Sequence, residues 1–132
     1  MIDDLFKTNV SKIPQVVLLE LEIRFPHSMN IEWSKSDNDF EAIFYLDEIE
    51  HIARFSPNGN LLEFKKNLKV CEVPEIIQNH CKTYGEIMSA IIICSGDIKK
   101  YEIITQKPLI VRSLLLFSQD GKLIEAKSLP GS

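Results

Sequence analysis

Three histidines, three cysteines, two hairpin serines and two acidic clusters are the residues of this chain whose types could do chemistry. His27, His51 and His80 never fall three or four apart, and no H-E-x-x-H occurs, so no helical metal pair is encoded. Cys71, Cys81 and Cys94 form no C-x-x-C and have no histidine at zinc-ligand spacing. A Cys81–His80 catalytic pair fails on geometry, because neighbours on a helix diverge by about 100°. The cysteines read as small buried apolar residues; an oxidised Cys71–Cys81 pair is the alternative, without support in the sequence. Ser56 and Ser118 recur at equivalent turns with no G-x-S-x-G around them, which points to turn hydrogen bonding rather than nucleophilic attack. Asp37-Asn38-Asp39 and Asp47-Glu48-Ile49-Glu50 lack the glycine and distal glutamate of a calcium loop and read as solvated turns. No glycine-rich phosphate loop is present among five glycines. No cofactor, metal or catalytic residue is expected, and the chain reads as non-enzymatic.

The elements that would position any site are set by a repetition. Phe55-Ser56-Pro57-Asn58-Gly59-Asn60-Leu61-Leu62-Glu63 returns as Phe117-Ser118-Gln119-Asp120-Gly121-Lys122-Leu123-Ile124-Glu125, and Ile13-Pro14-Gln15-Val16-Val17 returns as Val73-Pro74-Glu75-Ile76-Ile77. Two anchors in the same order and at nearly the same offset predict a tandem duplication. Its parts are a lead-in over 1–12, repeat 1 over 13–68, repeat 2 over 69–128 and a tail over 129–132. Each half is short for an independent core, so the halves are expected to share a core or extend one sheet.

Composition is that of a globular protein, 45% hydrophobic and 26% charged. A net charge of −4 argues against nucleic-acid binding. No apolar run is long enough for a helical membrane span. The N-terminal Met1-Ile2-Asp3-Asp4-Leu5 lacks an apolar signal core. The expected location is therefore the periplasm or cell envelope for a mature form, with the cytoplasm as alternative.

Within repeat 1, residues 13–25 read as a helix with Ser11 as N-cap, Pro14 in the first turn and Pro26 as stop. Ile13, Val17, Leu21 and Phe25 make one apolar stripe, and Val16, Leu19 and Ile23 a second. Strands follow: Met29, Ile31 and Trp33 alternate toward a core, then come 40–46, 50–56 and 61–65, separated by polar turns. Repeat 2 copies the order, with a helix opened by Val73-Pro74 and ended by Gly85, then strands over 86–95, 99–105, 110–117 and 122–127. Short connections make the strands antiparallel. The fold class is α+β: two tandem helix-plus-four-strand repeats forming a curved antiparallel sheet with helices on one face.

The Ile13-Pro14 and Val73-Pro74 helix starts, the Phe25-Pro26 and Tyr84-Gly85 helix ends, the alternating strands from Phe40 and Tyr101, and the paired Phe-Ser-x-Asn/Asp-Gly hairpins cover residues 11–127. In this order they resemble the PepSY-like, beta-lactamase-inhibitor-like family. The resemblance implies helices on one face of a continuous sheet, export by bacteria, and binding through the open sheet face. It carries over no inhibitory contact residue, and the disulfide pattern of the inhibitor that names the fold has no counterpart here.

The strand overlay supplies one anomaly. Ala53 and Phe55 match Leu115 and Phe117 on one face, while Ile52 and Arg54 match Leu114 and Leu116 on the other, joined by Ile43, Tyr45 and Ile104. A sheet covered on one side should be polar on the other. An apolar open face centred on Ile43, Tyr45, Ile52, Leu114 and Leu116 is therefore the expected binding surface. Its partner would be an unidentified protein or peptide, a second copy of the chain included. The alternatives are an inhibitor of a periplasmic hydrolase, from the resemblance, and a small-molecule binder using the concave sheet.

Overall fold

The computed structural model describes residues 10–108 and 112–130. The lead-in through Asn9, the first residues of the strand expected from 110, and Gly131 and Ser132 lie outside the described residues. The chain divides into two compact units between Lys66 and Asn67. Among the described residues, eight strands form an antiparallel sheet in the order of the chain, and with the two helices the class is α+β.

The first unit opens with a 3₁₀ turn, Val10–Lys12, and helix α1, Gln15–Arg24. Strands β1 (Met29–Ser36), β2 (Asp39–Leu46), β3 (Ile49–Phe55) and β4 (Leu61–Leu68) follow. The second opens with a 3₁₀ turn, Val70–Glu72, and α2, Glu75–Cys81. Its strands are β5 (Glu86–Ser95), β6 (Ile98–Gln106), β7 (Arg112–Ser118) and β8 (Leu123–Leu129). Leu129 thus closes β8 rather than opening a tail.

Both helices start by the same device. Pro14 and Pro74 stand at the N-cap with extended backbone, and neither end is capped by a side chain. Instead the Pro14 carbonyl accepts from the Val17 and Leu18 N–H groups, and the Pro74 carbonyl from those of Ile77 and Gln78. Ser11, expected as the cap, lies inside the preceding 3₁₀ turn. Before α2 that turn closes with the Glu72 N–H donating to the Lys69 carbonyl at 2.9 Å and the Lys69 N–H donating to Glu72 Oε1 at 2.8 Å.

Each unit has its own core rather than one shared core. Ile13, Val17 and Leu21 from the α1 stripe are buried with Trp33, Phe40, Ala42, Phe44, Ala53 and Phe55. Val73, just before α2, and Ile77 and Cys81 within it are buried with Ala90, Ile103, Leu115 and Phe117. The helix of each unit therefore covers one face of that unit's strands. Period-two alternation sends the intervening residues to the outer face.

The hairpins anchor the helices. In one, Ser56 N–H donates to the Asn60 carbonyl, Gly59 N–H to the Ser56 carbonyl, and Asn60 N–H to Ser56 Oγ; Ser118, Gly121 and Lys122 repeat all three bonds. The serines are turn residues, as their recurrence implied. Gly59 and Gly121, at φ +87° and +90°, lie directly beneath the helices, and a Cβ there would stand 2.9 Å from Val16 Cγ2 and 2.7 Å from Ile76 Cγ2.

Two expectations fail here for local reasons. Met29 and Ile31 do not join Trp33 in the core; they are 66% and 42% exposed. The β1–β2 register slips between Met29 and Glu32, and Asn30 takes φ +54°, so the alternation breaks before it reaches Trp33. The cysteines are all free thiols, but only Cys81 is buried; Cys71 is exposed in its 3₁₀ turn and Cys94 is half-buried.

Candidate functional site

In the first unit the outer face is read directly from the register. Ile43 pairs with Glu32 on β1 and with Ile52 on β3; Tyr45 pairs with Glu50. The slipped start of β1 leaves an open hollow of about 550 Å³ on this face, lined by Asn30, Ile31, Glu32, Ile43, Tyr45 and Glu50. Two of the expected residues, Ile43 and Tyr45, therefore meet in one concavity, while Ile52 is beside Ile43 outside the lining. Asn30, Ile31, Glu32 and Glu50 were not anticipated. Glu32 and Glu50 were legible as outward strand positions, but no sequence signal marked the slip that opens the hollow.

Tyr45 is 38% exposed and its hydroxyl donates to Glu50 Oε2 at 3.3 Å. The Glu50 charge, then that hydrogen bond, then slight desolvation and the Glu32 charge hold the phenol pKa above its ordinary value. The phenol therefore stays neutral and keeps its donor. Further along the face Arg54 is held by Asp39 at 2.8 Å and Lys65 stands 3.6 Å from Glu63. Glu41 faces Arg54, so carboxylates predominate around the apolar centre.

In the second unit Leu114 lies between Ile104 and Lys127, and Leu116 between Glu102 and Glu125. Both leucines are half-buried on the outer face, with buried Leu115 between them on the helix-covered face. Here too apolar rows are framed by charge.

The histidines stand outside the hollow. His51 is buried between the rings of Phe44 and Phe64, centroids 5.5 Å away on either side. Its Nδ1–H donates to the Ile49 carbonyl at 2.8 Å; a carbonyl only accepts, so that nitrogen carries the proton. His80 is exposed and stands edge-on to Phe117 at 5.2 Å, and His27 is exposed beyond α1. Burial pushes the Cys81 thiol up to about 11, which leaves it unreactive at neutral pH. Among the described residues no three His, Cys, Asp or Glu side chains gather as a metal site, and no helix is long and apolar enough to cross a membrane.

No family model matches the chain, and no curated protein matches it. Solved structures do. A protein of Bacteroides eggerthii, named for an inferred periplasmic location, superposes with a TM-score of 0.77 at 18% identity, covering 87% of this chain and 88% of its own. A DUF2874 family protein of Bacteroides uniformis gives 0.76 at 16%, covering 87% and 88%. A BLIP-like protein of Bacteroides fragilis gives 0.75 at 17%, covering 98% of this chain and 94% of its own. Nearly whole-chain coverage at these scores and identities gives this protein the BLIP-like fold, and the likeness is one of fold.

Proposed function

We propose that this chain is a non-enzymatic protein- or peptide-binding module of the bacterial cell envelope, acting through the outer face of its strands. The observation that carries the reading is the hollow on the first unit. Its lining combines the apolar Ile31, Ile43 and Tyr45 ring with the carboxylates Glu32 and Glu50. That chemistry suits a peptide segment with an aliphatic or aromatic side chain next to a lysine or arginine. Apolar burial supplies affinity, and the carboxylates select against acidic sequences. Ile52 adjoins Ile43 on this face, and Leu114 and Leu116 give the second unit an outer face of similar chemistry, proposed to bind in the same way. The envelope location draws support from the B. eggerthii protein's name.

Selection of a displayed random-peptide library on the intact chain tests this. Enriched sequences should be basic and apolar. They should lose at least tenfold in affinity on Ile43→Asp plus Tyr45→Ala, and bind more weakly as salt rises. Folded variants that keep the same affinities, or enrichment of acidic peptides, would remove the reading. The B. fragilis neighbour's BLIP-like name favours one special case, inhibition of a periplasmic hydrolase. Titration against a panel of lactamases and peptidases decides it, and undiminished activity throughout eliminates that case.

A further inference from the structure

Going beyond that face, we propose that β8 is a self-pairing edge through which two copies of this chain join their sheets. β8 is the last strand in the order, and among the described residues its strand neighbour is β7 alone. Five consecutive residues, Ile124–Ser128, are exposed. No proline interrupts the strand, and its single register slip lies at its beginning, opposite Leu116 and Phe117. The other edge, β1, is blunted by its own slip and by the left-handed Asn30. Such irregularities protect an edge from pairing, and β8 is regular from Glu125 to Leu129.

The side chains of β8 select one register. Ala126 pairs with Leu115 and so faces the helix side, while Glu125 and Lys127 pair with Leu116 and Leu114 and face outward. In an antiparallel pair of β8 strands centred on Ala126, all seven residues overlap. Glu125 then stands opposite the partner's Lys127, and the symmetry makes that contact twice. At the centre two alanines meet without crowding. Centring one residue either way places Glu125 opposite the partner's Glu125, or Lys127 opposite the partner's Lys127, and like charges directly opposite are unfavourable. A lysine on an edge usually discourages pairing; here the glutamate two residues before answers it. The contact closes on itself by two-fold symmetry, so it stops at a dimer. Main-chain hydrogen bonds supply its affinity and the charge pair its register. A single strand edge is small for an interface, so the dimer exchanges rapidly.

Native mass spectrometry and sedimentation of the intact chain, from about 10 µM to about 1 mM, test the proposal. Dimer should accumulate with concentration and recede as salt rises. Glu125→Lys and Lys127→Glu should each weaken it at least tenfold, because each puts like charges opposite twice. Mixing the two single variants should restore a heterodimer, since one chain then carries two lysines and the other two glutamates. The double exchange, E125K with K127E, should restore the homodimer. Both side chains are exposed, so circular dichroism should show every variant folded. A chain that stays monomeric throughout overturns the proposal, as do single variants that dimerise like the parent or a mixture that gains nothing. Outer-face variants such as Ile43→Asp should leave this dimer intact, which separates the result from that of the binding reading.

Discussion

Gly85 should be the most demanding backbone position among the described glycines, and Gly85→Ala measures how closely two segments of the second unit approach. Gly85 follows α2, its N–H donates to the Cys81 carbonyl at 3.1 Å, and its φ is +131°. An added Cβ would stand 2.6 Å from both the carbonyl carbon and oxygen of Gln106, and 2.9 Å from the Lys107 nitrogen. These are backbone atoms at the end of β6 and cannot rotate away. The strained backbone costs about 1–3 kcal/mol, and forcing a methyl into a packed site costs about 1–3 kcal/mol more. Gly96 is the control: its φ is +61° and nothing lies within 4 Å of its would-be Cβ. Gly96→Ala should cost only the left-handed penalty of about 1–2 kcal/mol. Both variants gain the same few tenths from a stiffer unfolded chain, so their difference reports the contact together with the extra strain of the Gly85 backbone. With a urea dependence of about 2 kcal/mol per molar, Gly85→Ala should lower the unfolding midpoint by about 1–3 M. A shift no larger than that of Gly96→Ala would refute the claim that this backbone approach constrains the fold.

Thiol labelling at mildly alkaline pH should modify exposed Cys71 first and buried Cys81 last; equal rates would contradict the burial. Because the Cys81 pKa rises from 9.0 to about 11 on folding, the folded state holds that proton longer. Its contribution to stability is whole below about pH 9 and is lost as pH climbs through about 11, so Cys81→Val should flatten the alkaline fall of the urea midpoint. Glu50→Gln should lower the pH at which Tyr45 ionises, followed by phenolate absorbance with Tyr45→Phe identifying the signal, since the Glu50 charge is the leading cause that holds it up. An unchanged titration would mean that the Tyr45–Glu50 bond does not persist in solution.

Much of the fold was legible because the matched segments of the two halves expose what a fold requires. Pro14 and Pro74, Ser56 and Ser118, and Phe55 and Phe117 do the same work at matched places, and matched work leaves matched letters. Less visible was whatever depends on a single backbone deviation. The slip between Met29 and Glu32 inserts no glycine or proline, yet it takes Met29 and Ile31 out of the core and opens the hollow. Cys71 has apolar neighbours in sequence, but a 3₁₀ turn projects it outward. The aromatic stack of Phe25, Phe44, His51 and Phe64 belongs to the first unit alone. In the second unit the pair corresponding to Phe44 and His51 is buried Thr105 opposite Ser113. An overlay of the halves shows that exchange but not what it means for packing. Of the second stripe of α1, Val16 lies over Gly59 of its own unit, while Leu19 and Ile23 are 46% and 70% exposed.

The alternation of the strands has a consequence for how this protein can change. Residues that hold each helix to its strands and residues of the outer face occupy alternate letters of the same short words. Selection can rewrite one set while reading past the other. Ile43, Ile52, Leu114 and Leu116 could be exchanged for a different surface with Ala42, Ala53 and Leu115 untouched, because each pair of neighbours points to opposite sides. A lineage of such chains would drift apart on its outer face while its hairpins, prolines and buried aromatics stayed put. Low identity between chains of one shape is what that freedom would leave behind.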